Sequence, residues 1–484
     1  MDDIVLVSYF VSLSILFVFG LHGFVMIYYY NKYRGVKPKQ KELNNEQLPM
    51  VTVQLPLYNE LYVIERLINS VCEIDYPKDK LEIQVLDDST DETIEVVAKS
   101  VAAKKLEGFD IQHIRRSSRK GFKAGALKEG LKKAKGEFVA IFDADFIPQK
   151  EFLKKTISFF SDNKVGMVQT RWEHLNGDYS LLTKAQALAL DGHFVIEQTV
   201  RNKAGFFINF NGTGGVWRKS CIEDAGNWHD DTLTEDLDLS YRAQLNGWRF
   251  VFLKDFTSPA ELPSEINALK AQQFRWTKGA VETAKKILPL VWKSKVPLRI
   301  KLQSTFHLTN NLVFPFILLS AILNVPLTFV KNSGSHEVYF GVMSIFVLAF
   351  ISSFMLYLYA QKDIRTDWRK KIVLFPLFMA GSMGLAVNNS RAVIEGLLSR
   401  KSEFVRTPKY KLVENKDSWV GKKYAPKKID FSVYVEVIMA VYCLIGIASS
   451  IYFLEIAALP FQLMFFIGFA SVSILSIRHA LSKA

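Results

Sequence analysis

Cysteine is scarce: Cys72, Cys221 and Cys443 are the only three in 484 residues, a usage that suits unpaired thiols in a reducing, cytosolic setting. The sequence also has no phosphate-binding loop of the GxxxxGK[ST] kind, so nucleotide hydrolysis loses support. Internal repeats, low-complexity tracts and long Gly/Ser linkers are missing too. Acidic residues are in deficit, 48 against 61 basic, which gives a formal charge of +13. Much of that excess flanks apolar blocks, where membrane orientation alone requires it, so nucleic acid is not an expected partner.

What is present in quantity is apolar sequence, unevenly spread. Ile4 to Tyr30 carries no Asp, Glu, Lys or Arg, longer than the roughly 20 residues that cross a bilayer. Its length and aromatic end set it apart from a cleaved signal peptide. Similar blocks lie at about 304–330, 338–360, 432–454 and 457–478, predicting five spans. The loops 31–41 and 361–371 are basic, and Arg400 to Asp430 holds ten basic against four acidic residues, so these loops are expected in the cytosol. The segment Ile372 to Leu398 then has both flanks on one side and is expected to lie along the interface or dip in and return. The boundaries that follow are 1–32 for an N-terminal membrane helix, 48–290 for a cytosolic domain, and 291–480 for a membrane region containing the loop 399–430.

Within 50–290 strand-like and helix-like runs alternate: "MVTVQLPLYNE", "LYVIERLINSVCEI", "LEIQVLDDST", "GFDIQHIRR", "KAGALKEGLKKAK" and "EFVAIFDAD". That pattern predicts a mostly parallel sheet with helices on it, binding ligands at the carboxyl ends of its strands. Carboxylates gather at two such ends, Asp87 with Asp88 and Asp143 with Asp145. On an extended chain residues two apart face the same way, so Asp143 and Asp145 are expected to converge on one ligand. Paired carboxylates suit a hard divalent cation, although such a pair often only ends a strand. Lys120 and Lys123, just before a predicted helix, suit an anion, whereas Lys128, Lys132 and Lys133 read as a solvated face. His193 and Glu197, four apart, imitate a metal pair but lack a third ligand.

Taken in order, Asp88, Asp143 with Asp145, Thr234-Glu235-Asp236 and Gln272-Gln273-Phe274-Arg275-Trp276 resemble the D, DxD, TED, QxxRW series of processive family 2 glycosyltransferases, the cellulose synthase superfamily. "DGHFVIEQ" and "FNGTGGVWR" resemble its cellulose-synthase-like mannan and glucomannan branch, and the likeness covers roughly residues 50–430. "FVRTPK", Phe404 to Lys409, is similar to the FxVTxK gating loop, with Arg406 in place of Val, and Phe146 stands where bacterial cellulose synthases have His.

The resemblance implies an α/β fold, a GT-A type cytosolic domain with a mixed, mostly parallel sheet inserted between transmembrane helices. It implies a processive, inverting hexosyltransferase that makes a beta-linked, beta-1,4 polysaccharide and passes it across the plasma or inner membrane. Asp236 is then the general base, flanked by Thr234 and Glu235, with Asp238 adding negative charge. Thr234 is expected to cap the following helix. Asp87, Asp88, Lys123, Asp143, Gln272 and Arg275 would bind a UDP- or GDP-hexose, and Asp143 and Asp145 would hold Mg2+ or Mn2+. Trp276, Gly212 and Thr213 would meet the growing polysaccharide, and Phe404, Thr407 and Lys409 would form the gate. The partners implied are donor, polymer and lipid bilayer; a homo-oligomer is compatible with them. A glycolipid synthase that transfers a single sugar, and a membrane scaffold that keeps the fold without turnover, are the alternatives.

Overall fold

The computed structural model describes residues 2–36, 40, 45–334, 336–400, 402, 405–413, 417–424 and 429–482. Among these residues seven strands make one sheet: β1 Val51–Leu57, β2 Leu81–Asp87, β3 Asp110–Arg115, β4 Phe138–Ile141, β5 Val165–His174, β6 Gly215–Arg218 and β7 Arg249–Ala260. Their order across the sheet is β3-β2-β1-β4-β6-β5-β7. All neighbouring pairs are parallel except those made by β6, which runs antiparallel to β4 and β5. The expected mixed, mostly parallel sheet is therefore observed.

Every residue of β1 and β2 is buried, polar ones included. Helices cover both faces of such a sheet, so an alternating strand pattern no longer means one wet face. The polar positions satisfy each other sideways instead. Thr52 lies opposite Glu82 and donates to it at 2.6 Å, and Gln54 lies opposite Gln84 and donates to it at 3.0 Å. Apolar residues fill the layers on either side, Val53, Ile64, Leu67 and Phe152 among them on one, Leu127, Phe210 and Trp217 on the other.

The chain runs outward from β1 to β3 and then crosses back to β4 on the other side of β1. A crevice opens at the carboxyl ends of strands where the order reverses in this way. The segments that follow β1 and β4 line it: Tyr58 and Glu60 after the first, Asp143 and Asp145 after the second.

Among the described residues, five helices are long and apolar enough to cross a membrane: Asp2–Tyr33, Leu298–Asn332, Glu337–Ile364, Phe431–Tyr452 and Leu459–Leu481. Between the third and fourth, Trp368–Gly384 and Ala386–Leu397 meet at a bend of 47°. The helix Ile266–Lys293 joins sheet and bundle, and an acidic cap starts it: Glu265 accepts the backbone N–H groups of Asn267 and Ala268.

Candidate active site

A cavity of about 210 Å³ occupies the crevice. Asp88, Lys123, Asp143, Asp145, Gly212, Thr234, Glu235, Asp236, Gln272, Arg275, Trp276, Thr407 and Lys409 all line it, drawn from seven separate stretches of sequence. Asp87 and Thr213 do not. Asp87 is buried behind its neighbour, accepting from Ser89 N–H at 2.8 Å and pairing with His113 Nε2 at 2.8 Å. Thr213 is equally buried and accepts the Asp143 backbone N–H at 2.9 Å, which ties the acidic turn to the turn preceding β6. Phe404 lies outside the described residues.

Asp143 and Asp145 do meet in one cavity, but not through strand pleating. β4 ends at Ile141, and the two carboxylates sit in a turn beyond it, where Phe146 N–H donates to Asp143 C=O at 3.1 Å. Each carboxylate faces an ammonium group. Lys123, in the first turn of the helix Phe122–Lys133, donates to Asp143 and to Gly212 C=O at 2.9 Å. Burial opposes charge on Lys123, yet Asp143 and Glu235 outweigh it and raise its pKa. Lys409 donates to Asp145 at 2.6 Å and to Glu261 C=O. Phe146, by contrast, is buried edge-on against Trp172 at 5.3 Å.

Asp236 opens the helix Glu235–Leu245, with Oδ1 accepting Leu237 N–H at 2.8 Å. Burial, then the adjacent Glu235 charge, pushes its pKa up to about 7, against the pull of Lys123. Gly212 makes this crowding possible: its φ is +80°, and a Cβ there would stand 3.1 Å from Asp236 Oδ2. Asp238 does not contribute as expected. Two residues on a helix point nearly opposite ways, and Asp238 is turned into a separate cluster, bonded to Arg242 at 2.7 Å and Lys286 at 3.0 Å. His229 and Asp231 share that cluster, but the same two cations already sit among its carboxylates. Nor does the Thr234 side chain cap its helix; its hydroxyl meets that of Thr283 at 3.0 Å.

Thr234 is fixed by the helix that carries Gln272, Arg275 and Trp276. At Gly279 a Cβ would lie 2.7 Å from Thr234 Cγ2 and 2.9 Å from its backbone N. Gly279→Ala is expected to cost about 1–3 kcal/mol through overpacking and to displace Asp236. Thermal unfolding together with turnover checks this; a variant matching the parent in both would show that the contact is slack.

Two charged contacts at the cavity carry no obvious sequence signal. Arg116 grips both oxygens of Asp88. Glu60 meets Arg406 at 2.8 Å, and burial pushes its pKa up to about 7. Arg406 in turn lies 4.1 Å from the centre of the Tyr424 ring. The departure from Val at 406 thus builds a contact to the segment after β1. A second chamber of about 220 Å³ shares Asp236, Thr234 and Trp276 with the first and runs to His307, Asn310 and Asn311 of the helix Leu298–Asn332. His193, Glu197 and Arg201 line it as one cluster, with Glu197 accepting from Arg201 at 3.1 Å and pairing with His193 at 3.0 Å.

The profile described as "Glycosyltransferase like family 2" matches residues 49–279. A probable glucomannan 4-beta-mannosyltransferase 7 of Oryza sativa subsp. japonica is 45% identical over 264 residues, 53% of this chain and 45% of the relative. A probable glucomannan 4-beta-mannosyltransferase 10 of Arabidopsis thaliana is 41% identical, over 60% of this chain and 52% of the relative. The chain thus spans about half the length of these curated relatives. Another rice protein, probable glucomannan 4-beta-mannosyltransferase 2, is 34% identical over 412 residues, 82% of this chain and 69% of the relative. Among solved structures, the mannosyltransferase PcManGT from Pyrobaculum calidifontis in complex with GDP-Man and Mn2+ superposes with a TM-score of 0.56 at 20% identity, covering 81% of this chain and all of that one. The fold is of the GT-A type, and the chain belongs to the family 2 glycosyltransferases, among the cellulose-synthase-like relatives of the glucomannan 4-beta-mannosyltransferases.

Proposed function

We propose that this protein is a membrane-integrated, processive, inverting hexosyltransferase that extends a beta-1,4-linked mannan, glucomannan or glucan and passes it across the plasma or inner membrane. The observation that carries the reading is that two neighbouring chambers share Thr234, Asp236 and Trp276 in their lining. One holds the acidic turn, Lys123, Arg275 and Lys409, and the other runs from Asp236 and Trp276 to polar residues of a helix long enough to span a bilayer. The basic loops favour a cytosolic catalytic side.

The donor is a GDP- or UDP-hexose, in keeping with the mannosyltransferase names of the relatives and the GDP-Man named with the solved neighbour. Asp143 and Asp145 offer hard oxygen ligands in one cavity and fit Mg2+ or Mn2+. That ion, when bound, supplies positive charge against the diphosphate leaving group. Lys123 and Arg275 add fixed cations beside it. Asp236 removes the proton from the acceptor hydroxyl, and Trp276 offers a flat apolar face for the acceptor ring. A single base and direct displacement invert the anomeric carbon, turning an alpha-linked donor into a beta bond.

The full chain in nanodiscs with radiolabelled GDP-mannose and UDP-glucose and a mannan or glucan oligosaccharide primer tests this. A polymer cut by beta-1,4-specific hydrolases is expected. A lipid-soluble product bearing one sugar would replace the reading with that of a glycolipid synthase, and no transfer at all would remove it.

A further inference from the structure

The helix Ile266–Lys293 does more than present Gln272, Arg275 and Trp276. Two residues before Gln272, Lys270 reaches into the bundle and pairs with Glu436 at 2.7 Å, also donating to Ser432 at 3.0 Å. Both charges are buried, 5% and 0% exposed. The backbone C=O of Lys270 accepts from Asn388 at 3.0 Å. Two residues beyond Trp276, the fully buried Lys278 donates to Arg400 C=O and, at 2.8 Å, to Ser402. Between these points Arg275 donates to Val405 C=O at 3.0 Å.

Arg400 and Ser402 on one side, and Ser432 and Glu436 on the other, are therefore fastened to one helix, while Arg406, Thr407 and Lys409 reach the cavity. Glu436 lies in the second turn of the helix Phe431–Tyr452, so the far anchor is a membrane helix. A buried charge pair is costly, and a well-packed apolar pair often serves stability as well or better. What it adds is direction: the ammonium must meet the carboxylate and the Ser432 hydroxyl together, which fixes the register of one helix on the other.

We propose that Lys270 and Glu436 are positioning residues for sugar transfer, holding Gln272–Trp276 and the 405–409 segment in a common register, with Lys278 as the opposite anchor. This rests on the glycosyltransfer reading above. In the full chain, with GDP-mannose and UDP-glucose as donors, Glu436→Gln and Lys270→Met are expected to lower kcat about ten- to a hundredfold, the scale of a small misplacement of reacting groups. KM for the donor is expected to change less than kcat.

Because either single variant leaves a buried charge and can fail to fold, two double variants carry the test. Lys270→Met with Glu436→Leu is expected to recover thermal stability but not kcat, whereas the swap Lys270→Glu with Glu436→Lys recovers part of both. An apolar pair with full kcat, a swap no better than the apolar pair, or a Glu436→Gln enzyme with parental kcat would each overturn the proposal. A parent chain that moves no sugar would remove the enzymatic reading instead.

Discussion

Asp236→Asn is expected to abolish transfer, lowering kcat by about 10²- to 10⁴-fold, the range of a lost general base, while nucleotide binding persists. The amide keeps the size of the carboxylate and can still accept Leu237 N–H, as Asp236 does at 2.8 Å, so the helix start is preserved. What disappears is the proton acceptor. Burial and Glu235 place the Asp236 pKa at about 7, far better matched to a hydroxyl proton near neutrality than an ordinary carboxylate. The base works only when deprotonated, so its contribution is absent well below pH 7, rises through pH 7 and levels off above it. Glu235→Gln removes the neighbouring negative charge; the ionised form of Asp236 becomes easier to reach, and the rising limb moves to lower pH. Transfer rates over a pH series, with nucleotide affinity from calorimetry, check both statements. An Asp236→Asn enzyme of parental rate, or a limb that Glu235→Gln leaves in place, would require a different base.

Much of this site could be read from the sequence because its chemistry is written in ordered short motifs. Asp88, Asp143, Asp145, Glu235, Asp236, Gln272, Arg275 and Trp276 meet around one cavity although they are spread over nearly two hundred residues. The apolar helices were legible for a simpler reason, since a bilayer sets a minimum length. Side-chain direction was harder. Asp87 and Asp88 look equivalent in a string, yet the half-buried His113 of the neighbouring strand claims Asp87 and leaves Asp88 to the cavity. Asp238 stands close to Asp236 in the string, but helical rotation turns it away. Asp143 and Asp145 converge through a turn, where the strand argument does not apply. Glu60 with Arg406, and Asp145 with Lys409, join residues more than 250 positions apart, and no local pattern announces such partners.

Stripping divalent cations is expected to stop transfer, and Lys409 makes a sharper form of that prediction possible. The Asp145–Lys409 pair is nearly closed to solvent, each side chain about 10% exposed, so a cation entering at Asp143 and Asp145 meets a resident ammonium group. Like charges at close range in such a setting repel strongly, and occupancy of Asp145 by Lys409 and by a metal ion is competitive. Lys409→Met should therefore raise Mn2+ affinity, by about tenfold or more if the exchange resembles other close charge pairs. Transfer should nevertheless fall, because the ammonium leaves the cavity proposed to receive the diphosphate. Asp145→Asn should do the reverse to the metal, weakening Mn2+ binding while freeing Lys409 from its partner. Calorimetric titration of Mn2+, alone and with GDP, separates these effects from turnover. Transfer that survives excess chelator would exclude the metal role of Asp143 and Asp145. A Lys409→Met chain with parental Mn2+ affinity would show that the loop lysine and the metal do not compete, and that the 405–409 segment acts on the donor alone.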